Sequence, residues 1–419
     1  MRYSVPFLLA ATAVGLITPA ALPTICAAQE TAAAPLTPAT LREALANKRV
    51  NKDALAMEIR TLFGADALKT GAKPKASNAP EGLTVAWAIE APGLRKDAVV
   101  EVITDDPGAP LTKLERIGKS DVYAATIFMP RGIAGHWRYE VGGSPRAMGQ
   151  YEDYPTNPEE KKQAGVPAGT LTQMPSWRSK IFDGTSRDWW VYVPAQATPG
   201  KPLAVMVFQD GGGPKNWIPT VFDNMIAKGE IPPTVGIFIN PGNFDDKRSN
   251  RSVEYDTLSD KYARFLIDEI LPEVGKMATL TQNPDERLIF GVSSGGICAF
   301  TVAWEHPEAF RKVATGVGSF VNLQGGPSGI GGGHNYPILI RKSVGNDKSI
   351  PPKPIRVYLT DGANDLDNPF GNWPLANQYM AKSLAWAGYD YKFVYGNGFH
   401  GGRYSQYLMP DILRWLWRK

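Results

Sequence analysis

Cysteine and histidine are scarce in this chain of 419 residues, which has only two Cys and four His. Two cysteines exclude a disulfide-dense scaffold and every zinc or iron–sulfur cage built on cysteine ligands. Lysine and arginine form no dense run, and the net charge is only +4, so we expect neither a nucleic acid nor an anionic membrane surface as a partner. We also expect no bound metal and no cofactor. The hydrophobic share of 43% is that of a folded globular protein.

Charged residues are also absent from a long N-terminal stretch, residues 3–29. Its apolar core covers 7–17, and small residues around Ala28 offer a cleavage site. This pattern predicts a signal peptide over 1–28, and with it a secreted or periplasmic protein. The stretch is long enough to span a bilayer, so a membrane anchor is the alternative, against which its three prolines argue. After cleavage we expect no membrane span.

Two changes of hydrophobic pattern divide the next part of the chain. Residues 29–81 are predicted as a helical lead-in and linker, with helices at about 41–47 and 52–63. Alternating apolar residues separated by turn signals predict strands over 82–150, which indicates a small immunoglobulin-like β-sandwich. The charges and prolines of 151–170 are typical of a second linker.

Strand-like and helix-like patterns alternate over residues 171–419. This alternation predicts an α/β sheet. Helical patterns lie between the strands, and one of them closes the chain. The apolar strand-like runs are 189–193, 203–208, 235–239, 288–292, 355–359 and 391–395.

One short motif in this region carries chemistry: Gly291-Val292-Ser293-Ser294-Gly295-Gly296. It follows a strand-like run and precedes a helix-like stretch. A G-x-S-x-G turn between a strand and a helix is a nucleophile elbow, whose small residues allow a tight turn that lifts the serine off the sheet edge. We therefore predict that Ser293 is a nucleophile, and that an α/β-hydrolase domain follows the sandwich. A plain glycine-rich turn is the alternative.

A serine hydroxyl needs a base to take its proton. In this topology the base follows the last strand, and His400 stands there in a glycine-rich loop. Ordinary roles suffice for the other histidines: a strand edge for His136, a helix end for His306 and a loop for His334. We therefore predict that His400 is the base.

Three aspartates compete for the role of the acid, on the loop after the run 355–359. Asp365 is far enough along the loop to turn back toward His400. Asp361 stands close to the strand end, and Asp367 lies further out toward solvent. We predict Asp365, with Asp361 and Asp367 as the alternatives. The acid holds the imidazole tautomer and stabilises the imidazolium ion.

An oxyanion hole requires two backbone N–H donors. One is expected from Ser294, directly after the nucleophile. The other is expected from the glycines that follow the run 203–208, with Gly212 preferred over Gly211. Glycine at these positions allows the backbone to approach an acyl oxygen closely; a plain turn is the alternative.

Residues from about 170 to 419 resemble the esterase D-like family of esterases. This family includes feruloyl and acetyl-xylan esterases, enterochelin-type siderophore esterases and mycolyltransferases. The resemblance implies the triad Ser293, Asp365 and His400, and the oxyanion donors Gly212 and Ser294. The order of a sandwich followed by a hydrolase is similar to that of the enterochelin esterases, in which the sandwich contributes to substrate binding. The matching segments are 186–194, 210–212, 251–255, 291–296, 362–365 and 398–400.

Substrate contacts are expected from loops near the predicted cleft. Trp217, Phe370 and Trp373 are candidates to stack on an aromatic acid or a sugar ring, with ordinary packing as the alternative. Arg251 and Glu254 precede a predicted helix, where they either touch substrate or form a structural ion pair.

The function implied by these residues is that of a secreted serine esterase. The expected substrate is a small-molecule or polysaccharide ester, above all a feruloyl or acetyl ester of a carbohydrate. The alternatives are a siderophore esterase, an acyltransferase, and a non-catalytic carbohydrate-binding protein with a decayed hydrolase domain. The complete set of triad candidates in the required chain order argues against decay. The sequence does not indicate an oligomeric state.

Overall fold

The computed structural model describes residues 34–95, 97–105, 111–324 and 332–419. The predicted signal peptide, 1–28, lies outside the described residues. The chain divides into two units, Met1–Pro35 and Leu36–Lys419, and all elements below belong to the second. Among the described residues, no helix combines the length and the apolarity that a membrane crossing requires.

Three short helices open the described chain: α1 (Pro38–Ala46), α2 (Lys52–Phe63) and α3 (Ala65–Thr70). The side chain of Asn51 caps α2 by accepting from two backbone N–H groups of its first turn. Leu55, Ile59 and Phe63 recur at helical spacing on α2 and are buried. The first two helices confirm the predicted ones to within a few residues.

Eight strands follow the helices and form two four-stranded sheets, in the orders β1-β2-β6-β5 and β4-β3-β7-β8. Apolar side chains from both sheets form one core, which contains Trp87, Trp137 and Tyr139. That this sandwich is immunoglobulin-like stays a prediction. The strands are β1 (Lys75–Ala79), β2 (Gly82–Glu90), β3 (Val100–Thr104), β4 (Leu111–Lys113), β5 (Glu115–Arg116), β6 (Val122–Pro130), β7 (Ala134–Val141) and β8 (Ser144–Glu152).

Strand β2 is covered on both faces. Val85 and Trp87 point into the sandwich core, whereas Ala86 and Ala88 pack with α1–α3 on the other side. The small side chains of this second face let the helices approach the sheet. The helical lead-in, to which the sequence assigns no role, therefore covers the outer face of a sheet.

Segment 64–81, predicted as part of a linker, contains α3 and β1. Strand β1 is the edge partner of β2 and consists of polar and small residues, mostly exposed. It lacks the apolar alternation by which a strand is recognised in a sequence. The boundary at residue 82 is therefore wrong, because the sandwich begins at β1.

The described residues from 170 to the end of the chain contain a mixed sheet of eight strands, in the order β21-β18-β17-β16-β13-β14-β12-β9. Neighbouring strands are parallel from β14 to β21, whereas β12 and β9 are antiparallel to their neighbours. Five short strands, β10, β11, β15, β19 and β20, lie outside this sheet. The strands of this part of the chain are β9 (Thr170–Gln173), β10 (Trp177–Arg178), β11 (Thr185–Arg187), β12 (Trp189–Val193), β13 (Ala204–Gln209), β14 (Thr234–Ile239), β15 (Asn243–Phe244), β16 (Arg287–Val292), β17 (Lys312–Gly316), β18 (Arg356–Asn364), β19 (Asp367–Asn368), β20 (Gly371–Asn372) and β21 (Asp390–Phe399).

In the described part of the chain, eight helices accompany these strands, and apolar cores lie on both faces of the sheet. The helices are α4 (Ile218–Ala227), α5 (Arg251–Asp256), α6 (Lys261–Arg264), α7 (Leu271–Val274), α8 (Ser294–Glu305), α9 (Tyr336–Ser343), α10 (Trp373–Ala387) and α11 (Arg403–Trp417). A π-helical segment, Phe265–Ile270, joins α6 to α7, and 3₁₀ turns lie at Pro158–Glu160, Pro214–Asn216, Pro284–Glu286 and Gly333–Asn335.

Segment 151–170, the second predicted linker, is held against the residues that follow it by polar contacts. Glu159 is buried and accepts from Lys228 Nζ at 2.5 Å. Glu160 pairs with Arg403, on the first turn of α11, at 3.0 Å. The carbonyl of Glu159 also accepts from Asn224 at 2.9 Å. These contacts make the segment part of the packed structure.

Candidate active site

The sharp turn at Ser293 places the nucleophile between β16 and α8. Ser293 has φ +59° and ψ −123°, a left-handed conformation that non-glycine residues rarely adopt. The turn requires glycine at 291, because a Cβ there would lie 2.0 Å from the carbonyl oxygen of Gly295. The backbone N–H of Ser293 donates to Gly316 O at 2.9 Å, which ties the turn to β17. The predicted elbow is present.

His400 joins the nucleophile to an acid. Its Nε2 lies 2.8 Å from Ser293 Oγ, and its Nδ1 lies 2.5 Å from Asp365 Oδ1. The Asp365 side chain is fully buried, whereas the imidazole keeps 21% of its surface exposed. A buried carboxylate on Nδ1 leaves Nε2 free to take the serine proton. Ser293, His400 and Asp365 therefore have the geometry of a triad.

The three competing aspartates occupy different environments. Asp365 contacts His400, and its Oδ1 also accepts from the backbone N–H of Leu366 at 2.6 Å. Asp361 lies within β18 and is completely buried. Asp367 lies on β19 and is exposed. Of the three, Asp365 is the one hydrogen-bonded to the imidazole.

Burial and the neighbouring carboxylate of Asp365 raise the pKa of Asp361 well above its usual range. Burial likewise raises the pKa of Asp256, whose carboxyl contacts the hydroxyl groups of Ser294 and Ser252. Two carboxyl groups beside the triad thus favour the protonated form more than an exposed aspartate does.

The two predicted oxyanion donors differ in what they contact. Ser294 is the first residue of α8, where backbone N–H groups have no intrahelical acceptor. The backbone N–H of Gly212 donates to Asn240 Oδ1 at 2.9 Å, and that of Gly211 donates to Ile239 O at 3.0 Å. For Gly212 to serve an oxyanion, the Asn240 side chain must give up this hydrogen bond.

Two of the expected substrate contacts face the surface. The Phe370 ring lies between β19 and β20 and is 51% exposed. Trp217 precedes α4 and is half-buried against the core. These two rings remain candidates to stack on a substrate.

Trp373 does not have the exposure expected of a stacking residue. It is 2% exposed and meets the His400 ring edge to face, with the ring centroids 5.6 Å apart. Its Nε1 donates to Ser319 Oγ at 3.2 Å. As the first residue of α10, it packs behind the base instead of lining an open surface.

Arg251 and Glu254 belong to different ion pairs. Arg251 forms a two-pronged pair with Asp210, with both nitrogen–oxygen distances 2.9 Å, and its side chain is one-third exposed. Glu254 pairs with Arg187 at 2.6 Å, and neither side chain is exposed. Glu254 thus has a structural role, which leaves Arg251 as the charged candidate for substrate contact.

Ser319 is a site residue that sequence reasoning missed. Its Oγ lies 3.3 Å from Ser293 Oγ, and its backbone N–H donates to Ser293 O at 3.1 Å. It follows β17, a strand absent from the predicted set. Had Lys312–Gly316 been recognised as a strand, Ser319 would have stood at the same sheet edge as Ser293.

The other three histidines lie in ordinary surroundings. His136 contacts Asp105 at 2.8 Å, and its ring packs edge to face on Phe399. His306 ends α8 and contacts Glu308 at 2.6 Å. His334 lies in a 3₁₀ turn. Within the described ranges, no three His, Cys, Asp or Glu side chains are grouped so that they could hold a metal ion.

Comparison with known protein families gives a match over the C-terminal part of the chain. Residues 179–407 match the family model described as "Putative esterase". This match covers more than half of the 419-residue chain and contains the whole triad.

One curated relative and several solved structures are similar to this chain. Iron(III) enterobactin esterase of Dickeya dadantii (strain 3937) is 27% identical over 160 residues, which are 38% of this chain and 35% of that protein. The match thus spans about a third of the relative's length. Enterobactin esterase from Shigella flexneri has a TM-score of 0.58 at 18% identity, and ferric enterobactin esterase from Salmonella typhimurium 0.59 at 16%. Both alignments cover 83% of this chain and 97% of the other, which shows a shared fold.

Proposed function

The chain belongs to this esterase family, and on that premise we propose that it is a carboxylic ester hydrolase that works through a serine acyl-enzyme. The observation that carries the proposal is the hydrogen-bonded chain from Ser293 Oγ through His400 to Asp365. The distances between these three side chains, and their order along the chain, are those that such chemistry requires.

The reaction proceeds in two halves. His400 Nε2 takes the proton from Ser293 Oγ as the oxygen attacks the ester carbonyl, and the resulting imidazolium ion is stabilised by Asp365. The imidazolium then protonates the departing alcohol, which leaves an acyl group on Ser293. In the second half, His400 takes a proton from water as the water oxygen attacks the acyl carbonyl. The imidazolium ion then returns this proton to Ser293 Oγ, which releases the carboxylic acid and restores the free enzyme.

We further propose that the substrate is an acylated carbohydrate, such as a feruloyl or acetyl ester. The exposed ring of Phe370 and the half-buried ring of Trp217 support a planar acyl group or a sugar ring, since aromatic side chains stack on both. Arg251, one-third exposed, supplies a cation for a polar or anionic part of the substrate.

A siderophore ester is the second candidate. The fold shared with the enterobactin esterases favours it, because those alignments cover 83% of this chain and therefore include part of the sandwich. A contribution of the sandwich to substrate binding is supported by a cavity of about 550 Å³ between β3, β7 and β8. His136 lines this cavity and packs on Phe399, the residue before the base.

A panel of esters distinguishes these candidates. Feruloyl, acetyl-xylan, glucuronoyl and catecholate siderophore esters are hydrolysed side by side, and the kcat/KM values are compared, with Ser293→Ala as the background. The proposal predicts the highest value for a feruloyl or acetyl carbohydrate ester. A higher value for the siderophore would favour the second candidate, and no hydrolysis of any ester above background would contradict an esterase.

Export is also part of the proposal. The uncharged N-terminal stretch with its small residues supports cleavage after Ala28. The measurement is the N-terminal sequence of the protein recovered from the secreted or periplasmic fraction. A mature chain beginning at Gln29 is expected, and an uncleaved chain recovered with the membrane would contradict it.

A further inference from the structure

Asp361 and Asp365 bring two buried carboxyl groups into contact beside the base. Asp361 lies on β18, whose pairing with β21 becomes irregular after Gly362, and in the turn that follows Asp365 N donates to Gly362 O at 3.2 Å. Asp361 is completely buried, and so is the side chain of Asp365. The reaction as derived above uses only Asp365 and leaves Asp361 without a role.

Hydrogen-bond donors are too few for this pair. Asp361 Oδ1 accepts from the backbone N–H of Gly362 at 2.8 Å, and Asp365 Oδ1 accepts from Leu366 and His400. The Oδ2 atoms of both aspartates are buried and have no donor among the described residues. A buried acceptor without a donor costs free energy, and a buried anionic one costs more.

The nearest side-chain amide cannot supply the missing donor. Asn377, on α10, contacts the Asp361 carboxyl. Its Nδ2 already donates to Gly318 O at 2.9 Å and to Trp373 O at 3.1 Å, so both amide hydrogens are taken. The Asn377 Oδ1 is itself buried and without a donor in the described chain. Three acceptor oxygens of the cluster, one each on Asp361, Asp365 and Asn377, therefore have no donor among the described residues.

The titratable groups around the cluster favour one proton on it. Asp365 faces Asp361 from the loop after β18, and Tyr395 faces it from β21. His400 in turn contacts Asp365. Asp365 must stay ionised to pair with the imidazole, and two carboxylates in contact do not both ionise readily. Burial and the negative charge of Asp365 raise the pKa of Asp361 well above its usual range.

We propose that Asp361 keeps its proton and donates it from Oδ2 to Asp365 Oδ2, which makes Asp361 a positioning residue for the catalytic acid. The carboxylate of Asp365 is a stronger acceptor than the neutral amide oxygen of Asn377, so the proton is directed to Asp365. This bond fixes the Asp365 carboxylate with Oδ1 toward His400 Nδ1. The inference rests on the proposed serine-esterase function.

Two substitutions at Asp361, whose new side chains are of nearly the same size, test its role in positioning Asp365. Asp361→Asn retains a donor, because its amide N–H can replace the acid O–H, and kcat at neutral pH is expected to stay close to that of the wild type. Asp361→Leu leaves Asp365 Oδ2 without a donor, and kcat is expected to fall about 10- to 100-fold with KM little changed. A role in packing alone would not separate the two variants in this way.

The pH profile of kcat supplies a second readout. As the pH rises through the raised pKa of Asp361, the proton is lost, the two carboxylates repel each other and kcat falls. The amide of Asp361→Asn does not titrate, so this alkaline decline should be missing from that variant. Equal losses in the Asn and Leu variants, or an unchanged alkaline decline in Asp361→Asn, would overturn the proposal.

An infrared measurement separates this inference from the proposed function. A protonated buried carboxyl group gives a carbonyl band distinct from that of a carboxylate, and Ser293→Ala protein shows it without turnover. The band of Asp361 is expected in Ser293→Ala and should be missing from the double variant that also carries Asp361→Asn, so it stands out in the difference spectrum of the two proteins, in which any band of Asp256 cancels. If the wild type hydrolyses no ester, the function fails while the difference spectrum still reports on the proton. A difference spectrum without this band would refute the assignment to Asp361.

Discussion

At the scale of single residues, Asp365 determines what His400 can do. The 2.5 Å contact between Asp365 Oδ1 and His400 Nδ1 favours the tautomer with its proton on Nδ1, so that the unprotonated Nε2 faces Ser293. An asparagine at this position would keep the shape of the side chain but would present an uncharged amide to the imidazole. The wrong tautomer would then be favoured, and the imidazolium ion would lose its counter-charge.

Asp365→Asn is therefore expected to lower kcat by on the order of 10⁴-fold, as the same change does in other Ser–His–Asp enzymes. The measurement is the hydrolysis of a short-chain nitrophenyl ester. Asp367→Asn is the matched control, because Asp367 is exposed and stands two residues further along the same loop. A larger loss in the Asp367 variant than in the Asp365 variant would contradict the assignment of the acid.

At the scale of elements, the buried ion pair between β11 and α5 fixes the segment that carries Arg251. Arg187 and Glu254 are both inaccessible to solvent, and Glu254 also accepts from Gly242 N at 3.2 Å and from Asn250 Nδ2 at 3.0 Å. The guanidinium of Arg187 lies 4.4 Å from the centroid of the Phe265 ring. Removing one member of such a pair leaves the other charge buried and uncompensated.

Glu254→Gln is expected to lower the free energy of unfolding by about 3–5 kcal/mol. Chemical denaturation of the wild type and the variant measures the difference. The exposed pair between Arg178 and Asp245 provides the control, since Asp245→Asn should change stability little. If the two substitutions had equal effects, the buried pair would not have the structural role assigned to it.

The elements show which parts of the fold can be predicted from sequence. Strands with a continuous apolar run, such as β13 and β16, and the amphipathic helix α2 were predicted because burial leaves a recognisable pattern in the sequence. Strand β1 is an exposed polar edge, and β17 is short and includes Lys312 and Thr315, so neither carries that pattern. Ser319 was missed with β17, since its place at the site depends on that strand.

At the scale of the whole molecule, the sandwich contacts the loops that carry the acid and the base. Asn364 Nδ2, next to Asp365, donates to Ala134 O at 2.9 Å, and Ile133 forms an isolated bridge with Asn397. The three triad residues were predicted from their order in the chain and from their positions on loops after predicted strands. Contacts between regions leave no local pattern, so the sequence predicted neither these bonds nor the packing of segment 151–170.

The central claim is that Ser293 is the nucleophile of an esterase. The most direct test is hydrolysis of a short-chain nitrophenyl ester by the wild type and by Ser293→Ala, with the exposed Ser349→Ala as control. We expect kcat to fall by about 10⁴-fold or more in Ser293→Ala and to be unchanged in Ser349→Ala. Equal rates of hydrolysis in the wild type and in Ser293→Ala would contradict it.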